Sequence, residues 1–566
     1  GLNVAVGYSA GLAMTTATHN TLIGANAGDA LTTGAGNVAV GFNALTTEDA
    51  NGTATAIGYR ALATLNAGAE SYNVAVGYDA GLNMTTGKES VIVGGLAGDA
   101  ITTGTRNTLI GYAAGTALVE GGSNVAIGYA ALATEDAHGA NIAIGYNVLT
   151  VQNAGAAGLN VAIGYNAAGS VTTGTANTIV GAEAGDALTT GTGNVALGFS
   201  AMSAATTEGD TVAIGRAAMS ASTLSQRAVA VGAYALEDQA HSSLTNTYNT
   251  AIGWSAGLNL TTAVRTTIVG GETANAVMTG NDNTLLGYAT GYDLTSGHSN
   301  TIVGSSAGSN VSTGIRNVLI GVNTGDALVD GNYNTAVGYQ ALSDDDQGEY
   351  NTAMGYFALE NYNDGDGNGH NTAVGAQSQR NASTGEFNTS LGSSSMGSGV
   401  TTGDNNVAIG YQSGLNMTSG NTNVFIGSFA GDALTTGAHN VAIGYEALTT
   451  EITHGTNTAV GFRALKIQNA GANANNVALG YNAGGAVTTG ASNTLIGSTA
   501  GDALTTGANN VALGVSALGS TTTAANNVAI GVSALNANVL GASSIAIGLQ
   551  SLAQQAPSGA GVMHNV

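Results

Sequence analysis

A short acidic stretch has the residue types and spacing of a calcium-binding loop. Asp364, Asp366 and Asn368 alternate with glycines in the segment 364–369, and side-chain oxygens at this spacing are ligands that Ca²⁺ prefers. The twelfth position of such a loop, where a bidentate Glu is expected, is Gly375. Two interpretations follow: a calcium site, or an acidic surface loop in a lengthened repeat. A calcium titration of the protein and of Asp366→Ala separates them, because only a calcium site would shift the thermal transition.

Other residue patterns that could support catalysis are missing from the sequence. The chain has no Cys, and its eight His residues are scattered, mostly beside predicted turns, where we expect them to be solvated. No phosphate-binding loop is present, and each Gly-x-Ser-x-Gly stretch, as at 304–308, belongs to a repeat that lacks the following helix of a nucleophile elbow. A recurrent Asp has no base nearby, so we interpret it as a turn or inter-chain hydrogen-bonding residue; it occurs as Asp29, Asp99, Asp186, Asp432 and Asp502. We therefore expect no enzymatic activity and no cofactor apart from Ca²⁺.

The charge balance restricts the partners. Lys and Arg number 10 against 34 Asp and Glu, for a formal charge of −24. A surface so poor in bases argues against binding nucleic acid or anionic membranes. The chain has no apolar run of the length needed to span a bilayer, so we expect no membrane insertion. It begins inside a repeat at Gly1-Leu2-Asn3, which suggests a piece of a longer polypeptide.

A 17-residue repeat organises nearly the whole chain. The block Asn-x-x-aliphatic-Gly, as at 37–41, recurs in 32 copies, of which 26 have Asn at the first position, and 25 of the 31 intervals between copies are 17 residues. We number each repeat so that Asn is position 1 and Gly position 5. A fixed short period is typical of solenoids, which grow by adding coils. The sequence therefore predicts one continuous rod over residues 1–553, with a non-repeat tail at 554–566 that leaves it.

Each repeat reads as one coil of an all-β parallel β-roll or β-solenoid. The β-branched run before Gly predicts a strand, and a second short strand is expected before the Thr-Thr-Gly turn. Strand side chains alternate, and both directions are apolar here. We expect positions 2 and 4 to fill the coil, and position 3 to meet neighbouring chains at the shared axis of a homotrimer. The position-1 Asn should form a hydrogen-bonded ladder, and the extra residues of longer repeats should bulge as surface loops.

The repeat resembles two related groups of proteins. The motifs that carry the resemblance are Asn-Thr-Ala-Val-Gly-Tyr-Gln-Ala-Leu at 334–342 and Asn-Val-Ala-Ile-Gly-Tyr at 440–445. They look like the head domain of trimeric autotransporter adhesins, which is a left-handed parallel β-roll trimer. They are more similar, in repeat length and in the Thr-Thr-Gly turn, to the repeat of phage tail-fibre-like proteins. The resemblance covers residues 3–552 and implies a trimeric fibre.

From this resemblance we expect a structural fibre protein. The first hypothesis is an extracellular shaft in the tail fibre of a phage or phage-like particle, which positions host attachment. Its partners would be two further copies of itself, other fibre or tail proteins, and a cell-surface glycan or protein receptor. The alternatives are a bacterial surface adhesin rod and a single-chain solenoid that stacks end to end into extracellular filaments. A polysaccharide-degrading solenoid is disfavoured, because the carboxylates are not clustered along one groove.

Overall fold

The protein consists of β-solenoid coils grouped into two compact units. The structure, a computed structural model, describes residues 1–363, 365, 368–537, 539 and 541–554. The units are Gly1–Asp282 and Asn283–Val566. Each contains 16 coils with one main-sheet strand per coil, and no helix occurs among the described residues. The prediction of an all-β parallel solenoid of about 32 coils is therefore confirmed.

The strands are short and evenly spaced in both units. In the first unit they are β1 Val4–Val6, β2 Thr21–Ile23, β3 Val38–Val40, β4 Thr55–Ile57, β5 Val74–Val76, β6 Val91–Val93, β7 Thr108–Ile110, β8 Val125–Ile127, β9 Ile142–Ile144, β10 Val161–Ile163, β11 Thr178–Val180, β12 Val195–Leu197, β13 Val212–Ile214, β14 Thr223–Gln226, β15 Val229–Val231, β16 Ala240–Asn246, β17 Thr250–Ile252 and β18 Thr267–Val269. In the second unit they are β19 Thr284–Leu286, β20 Thr301–Val303, β21 Val318–Ile320, β22 Thr335–Val337, β23 Thr352–Met354, β24 Thr372–Val374, β25 Thr389–Leu391, β26 Val407–Ile409, β27 Val424–Ile426, β28 Val441–Ile443, β29 Thr458–Val460, β30 Val477–Leu479, β31 Thr494–Ile496, β32 Val511–Leu513, β33 Val528–Ile530 and β34 Ile545–Ile547. All main-sheet strands span positions 2 to 4 of the repeat.

Equivalent residues of successive coils are paired in register. Val125 pairs in parallel with Ile142, and Ile142 pairs with Val161 although that coil is two residues longer. The extra residues leave the register unchanged, and a Cβ built at Gly155 within them would meet nothing within 4 Å. The coils lengthened by two residues thus place them in open loops, as predicted for Gly68, Gly155 and Gly471, whereas the longer coil between Gly232 and Gly253 contains the paired strand β16.

Side-chain direction within the strand is opposite to the prediction. In β8, Ala126 at position 3 is fully buried, whereas Val125 and Ile127 at positions 2 and 4 are only half buried. The other main-sheet strands bury position 3 in the same way, apart from β1. The interior of a single closed coil is narrow, and Ala126, Ala131 and Leu132 of one coil are all fully buried in it. Ala fits this space, so positions 2 and 4 point outward.

Two coil types fill this interior in complementary ways. Coils with Ala at position 3 usually carry Leu or Met at position 9, as with Ala39 and Leu45. Coils with a large residue at position 3 usually carry Gly at position 9, as with Leu22 and Gly28. A Cβ on Gly28 would lie 2.9 Å from Leu22 Cδ2, closer than packed carbons approach. Most coils therefore supply one large side chain to this part of the core, from either position; where Ala75 and Gly81 supply none, Leu62 and Ile92 of the neighbouring coils reach the space.

The rest of each coil is made of turns, so the predicted second strand is absent from most coils. Positions 7, 9 and 17 take left-handed backbone angles, as at Ala130, Leu132 and Ala140, which an extended strand does not allow. The turns remain bonded between coils, for example from the Gly115 N–H to the Ala131 carbonyl at 2.9 Å. Among the described residues, only β14 and β16 form a second pair of strands, with a register shift.

Glycine at position 5 is fixed by the close approach of coils. A Cβ on Gly128 would overlap the carbonyl oxygen of Gly145 in the next coil, and Gly128 has φ of 135°. No other residue can take this place without separating the two coils. This explains why Gly ends every copy of the repeat.

The Asn ladder is confirmed. The Asn406 amide nitrogen donates to Asn388 Oδ1 at 3.1 Å and to the Gly420 carbonyl at 2.8 Å. Its own Oδ1 accepts from the Asn423 backbone N–H at 2.9 Å. These groups are buried, so each amide satisfies backbone groups that would otherwise lack partners. The ladder ties each coil to the coils before and after it.

Candidate interaction surface

The outward side of the parallel strands forms an apolar surface, which we call the outer sheet face and define as positions 2 and 4 of the main-sheet strands. In all 32 copies of the repeat, position 2 is Val, Thr or Ile and position 4 is Val, Ile, Leu or Met. Ile110 and Leu197 are examples, with 37% and 44% of their surface exposed. Parallel strands are normally covered on both faces, so this surface is suited to packing against another protein surface.

A row of stacked aromatic rings borders the outer sheet face. At position 6, Tyr112, Tyr129, Tyr146 and Tyr165 stack with centroids 5.6, 5.1 and 5.4 Å apart. Each is about half exposed. The second unit has a shorter row of the same kind; its members are Tyr445, Phe462 and Tyr481. Because the strands pair in register, equivalent rings of successive coils are separated by the distance between strands. The rings therefore stack on one another and present their edges and hydroxyl groups outward.

Charge is absent from this face in a strongly acidic protein. No Asp, Glu, Lys or Arg occurs at position 2 or 4 in any of the 32 copies. Exposed, contiguous apolar patches of this kind mark interaction sites in soluble proteins. A partner surface could therefore bury this face without removing a charged side chain from water.

A second aromatic row lies at another corner of the coils, at position 17. In the second unit, Tyr333, Tyr350, His370 and Phe387 stack with centroids 4.9, 4.7 and 5.0 Å apart. The Arg316 guanidinium lies over the first ring, 5.3 Å from its centroid. All four stacked residues have positive φ, so the left-handed turn before the ladder Asn is what presents them outward.

The recurrent Asp at position 10 is half buried. Burial raises the pKa of Asp186, Asp326 and Asp502, and it raises the pKa of Asp432 to about 6. One carboxylate oxygen of Asp432 is buried without a hydrogen-bond partner. Burial therefore disfavours the charged form at these sites relative to an exposed Asp. The neighbouring carboxylate Glu446 adds to the effect of burial and also raises the pKa of Asp432.

Polar grooves run between positions 7 and 10 of successive coils. One cavity of about 300 Å³ is lined by Asn147, Asn166, Ser170 and Asp186. A second, of about 340 Å³, lies at the equivalent positions of the other unit beside Arg380. Amide, hydroxyl and charged groups dominate both linings, so these grooves are hydrogen-bonding sites rather than apolar pockets.

Several turns contain a buried carboxylate that the sequence analysis missed. Glu48, Glu135, Asp345 and Glu451 lie at position 12 and have at most 1% of their surface exposed. Each accepts a hydrogen bond from the backbone N–H three residues later, as from Asn51 to Glu48 at 3.0 Å. The sequence could have indicated this burial. Position 12 holds Leu, Ile, Val or Met in most coils with a large residue at position 3, so these carboxylates stand where other coils have an apolar side chain.

Two turn histidines differ from the prediction that they are solvated. His138 and His454 are half buried beside Glu135 and Glu451, with Nδ1 to Oε1 distances of 3.4 and 3.5 Å. Burial raises the pKa of Glu135, partly offset by the hydrogen bond from the His138 backbone N–H. These side chains are part of the turn and not free surface groups.

The candidate calcium loop lies only partly within the described residues. Asp364 and Asp366 are outside them, and Asn368 is exposed. The coil that contains the loop keeps strand register across it, since Thr352 pairs with Thr372. Calcium binding by Asp364, Asp366 and Asn368 stays a prediction, as does the departure of the tail, of which residues 555–566 are outside the described part.

A search for membrane-spanning helices and comparisons with protein families and curated sequences gave no match. In the part of the chain that the structure describes, no helix has the length and hydropathy needed to cross a membrane. No protein-family model matches the chain, and no curated protein sequence matches it.

Proposed function

We propose that this protein is a structural subunit of an extracellular fibre, specifically a shaft segment in the tail fibre of a phage or phage-like particle. The fibre holds a host-receptor-binding element away from the particle, and the chain performs no catalysis. The single observation that supports this most is the outer sheet face, which is apolar, free of charge and continuous from coil to coil within each unit. Such a face needs a partner along the strands, as a fibre shaft assembled from several chains provides.

The partner that we propose is two further copies of the chain. In this homotrimer, positions 2 and 4 face the shared axis and position 3 fills each coil. A copy of the same chain brings an equally uncharged surface, so burying three such faces together leaves no carboxylate desolvated. The threefold arrangement is the one that the resemblance to tail-fibre and adhesin repeats implies.

Sedimentation equilibrium tests the assembly. We expect a mass three times the 55.0 kDa of one chain, independent of protein concentration. A monomer would contradict the proposal, and a mass that grows with concentration would favour the end-to-end filament instead. The carrier is tested separately by the genes beside this one: tail genes support a phage fibre, whereas an outer-membrane barrel gene supports a bacterial surface adhesin.

A further inference from the structure

One turn brings three metal-ligating side chains together. Glu135, Asp136 and His138 each offer one ligand atom, and these atoms all lie within 4.8 Å of one another. Glu135 is fully buried, His138 is half buried and Asp136 is exposed. The three ligand atoms therefore lie between the buried Glu135 and the solvent at Asp136, and an ion can enter from the solvent side.

Two buried side-chain atoms of this turn have no hydrogen-bond partner in the protein. Glu135 Oε1 accepts from the His138 backbone N–H at 3.2 Å, but Glu135 Oε2 and His138 Nδ1 are buried without a hydrogen-bond partner. Oε1 and Nδ1 lie 3.4 Å apart. Two ligands bound about 2.0–2.1 Å from a tetrahedral cation are separated by about 3.4 Å. A carboxylate oxygen and an imidazole nitrogen are thus held at the spacing of two ligands of one ion.

Two equivalent turns of the same chain lack part of this set. In the turn of Glu48, the residue at the histidine position is Asn51, whose backbone and side-chain N–H groups donate to Glu48 Oε1 at 3.0 and 3.1 Å. Glu48 Oε2 also accepts, from the Ala67 N–H at 3.3 Å. This carboxylate is therefore satisfied without an ion, and the turn folds with Asn in place of His.

The turn of Glu451 is the second comparison. It repeats the Glu–His pair at 3.5 Å, and Glu451 Oε2 is again buried without a hydrogen-bond partner. At the place of Asp136, however, it has Ile452. Among the three turns, the one at 135–138 is the one that combines an unsatisfied buried carboxylate, an imidazole and a second carboxylate.

We propose that Glu135, Asp136 and His138 bind one divalent transition-metal cation of the zinc class. Carboxylate oxygen and imidazole nitrogen at tetrahedral spacing suit Zn²⁺ or Co²⁺, whereas Ca²⁺ takes six to eight oxygen ligands and Mg²⁺ an octahedral set. Three protein ligands with solvent at the fourth position make an open zinc site. The ion would cross-link the turn at the end of one coil. The site lies within one chain and does not depend on the proposed assembly.

Isothermal titration with Zn²⁺ tests the site on the full chain after treatment with a chelator. We expect one ion per chain, and a tetrahedral absorption spectrum with Co²⁺ as the probe. His138→Asn, which reproduces the turn found at Glu48, should keep the fold and weaken Zn²⁺ binding by roughly a hundredfold or more, since even outer-shell partners of a metal are worth about 10–100-fold. Circular dichroism checks that the variant folds.

A gain of binding provides the complementary test. In the second turn His454 Nδ1 is hydrogen-bonded to Thr453 Oγ1 at 2.9 Å, where the first turn has Ala137. The double variant Ile452→Asp/Thr453→Ala gives the second turn the residues of the first, so we expect two ions per chain, with wild type and Ile452→Ala/Thr453→Ala as the matched controls. The proposal is overturned if the wild type binds no Zn²⁺, or if His138→Asn binds as tightly as the wild type. It is also overturned if Ile452→Asp/Thr453→Ala leaves the stoichiometry at one.

Discussion

Single residues in this protein act mainly by satisfying buried polar groups between coils. The position-1 Asn does so in most coils: Asn177 donates to Asn160 Oδ1 at 3.1 Å and to the Gly191 carbonyl at 3.0 Å. The position-10 Asp does so incompletely, because one oxygen of Asp186 or Asp432 is buried without a hydrogen-bond partner. The two residues illustrate opposite outcomes of burial: a neutral amide stabilises the stack, whereas a desolvated carboxylate reduces its stability when charged.

Asp432 should therefore make stability depend on pH. Its pKa is about 6 in the folded protein, against about 3.9 in an unfolded chain. Between these values the folded state keeps a proton that the unfolded state releases, so this residue favours folding most at low pH, and that contribution is lost as the pH rises through 6. We expect Asp432→Asn to be more stable than the wild type at pH 7.5, with a difference that shrinks towards pH 4.5.

Thermal unfolding of wild type and Asp432→Asn across this pH range is the measurement. Asp330→Asn, at an exposed turn, makes the same change of charge and is the control for nonspecific effects. A stability difference between Asp432→Asn and wild type that stays constant with pH, or that grows as the pH falls, would contradict the prediction.

The coil is the element of this fold, and its core is shared between two alternative positions. Where Leu22 fills the interior from position 3, Gly28 leaves room for it at position 9; where Ala39 stands at position 3, Leu45 fills the space. Gly28 and Leu45 have nearly the same backbone angle, with φ of 56° and 54°. The difference between the coil types is therefore one of packing and not of backbone conformation.

A double-mutant cycle on Leu22 and Gly28 tests this exchange. Gly28→Ala places a Cβ 2.9 Å from Leu22 Cδ2, and overpacking of this kind costs about 1–3 kcal/mol. Leu22→Ala alone leaves a cavity and costs about 2–5 kcal/mol. In the double variant the methyl group introduced by Gly28→Ala enters the space that the Leu22 side chain vacated, so we expect a favourable coupling of about 1 kcal/mol or more.

The strain of a positive φ at Gly28→Ala cancels in this cycle, because it is the same with and without Leu22. Denaturant unfolding of the wild type, the two single variants and the double variant gives the coupling energy. Strictly additive effects would show that the two positions do not compete for one space.

The sequence was sufficient to predict the coil but not its orientation. The period, the strand before Gly and the Asn ladder follow from spacing and residue type, and all three are present. Positions 2, 3 and 4 are all apolar, as in Val125, Ala126 and Ile127, so alternation alone could not distinguish inside from outside. The deciding fact is steric: positions 3 and 9 of one coil share the interior, as Leu22 and Gly28 do, and this becomes known only once the turns are placed.

The turns themselves were the least predictable part. Left-handed backbone at Ala130, Leu132 and Ala140 is unusual for residues other than Gly, Asn and Asp. It is imposed by the bonds that each turn makes to the next coil, and local sequence gives no sign of it. For the same reason His138 was expected to be solvated, and the buried Glu135 beside it was not identified.

For the whole molecule, the correction of side-chain direction strengthens the case for assembly. Position 3 has at most 2% of its surface exposed in all but the first main-sheet strand, so it has no surface left to offer a second chain. Positions 2 and 4 do have exposed surface that a second chain could contact. The face that we propose at the trimer axis therefore contains the larger aliphatic side chains, such as Ile127 and Ile144, and burying more apolar area favours association.

Charged substitutions on the outer sheet face should dissociate the assembly. Ile127→Glu and Ile144→Glu lie on adjacent strands and point away from the coil interior, so we expect the combined variant to keep its circular dichroism spectrum. Burying three copies of each carboxylate at one axis is strongly unfavourable, and the sedimentation mass should fall towards that of one chain. Thr103→Glu, at an exposed turn, adds a charge elsewhere and should leave the mass unchanged.

In-register pairing gives the chain a simple tolerance to changes in gene length. Because each strand contacts only the strands of the coils before and after it, loss or duplication of 17 codons removes or adds one complete layer and restores every bond at the junction. The exception is a junction at which two coils with large position-3 residues become neighbours and neither has the Gly at position 9 that leaves room for such a side chain. Replication slippage between near-identical repeats can thus change the number of layers in steps without passing through a misfolded protein, and subunits of graded length are accessible from one ancestral gene.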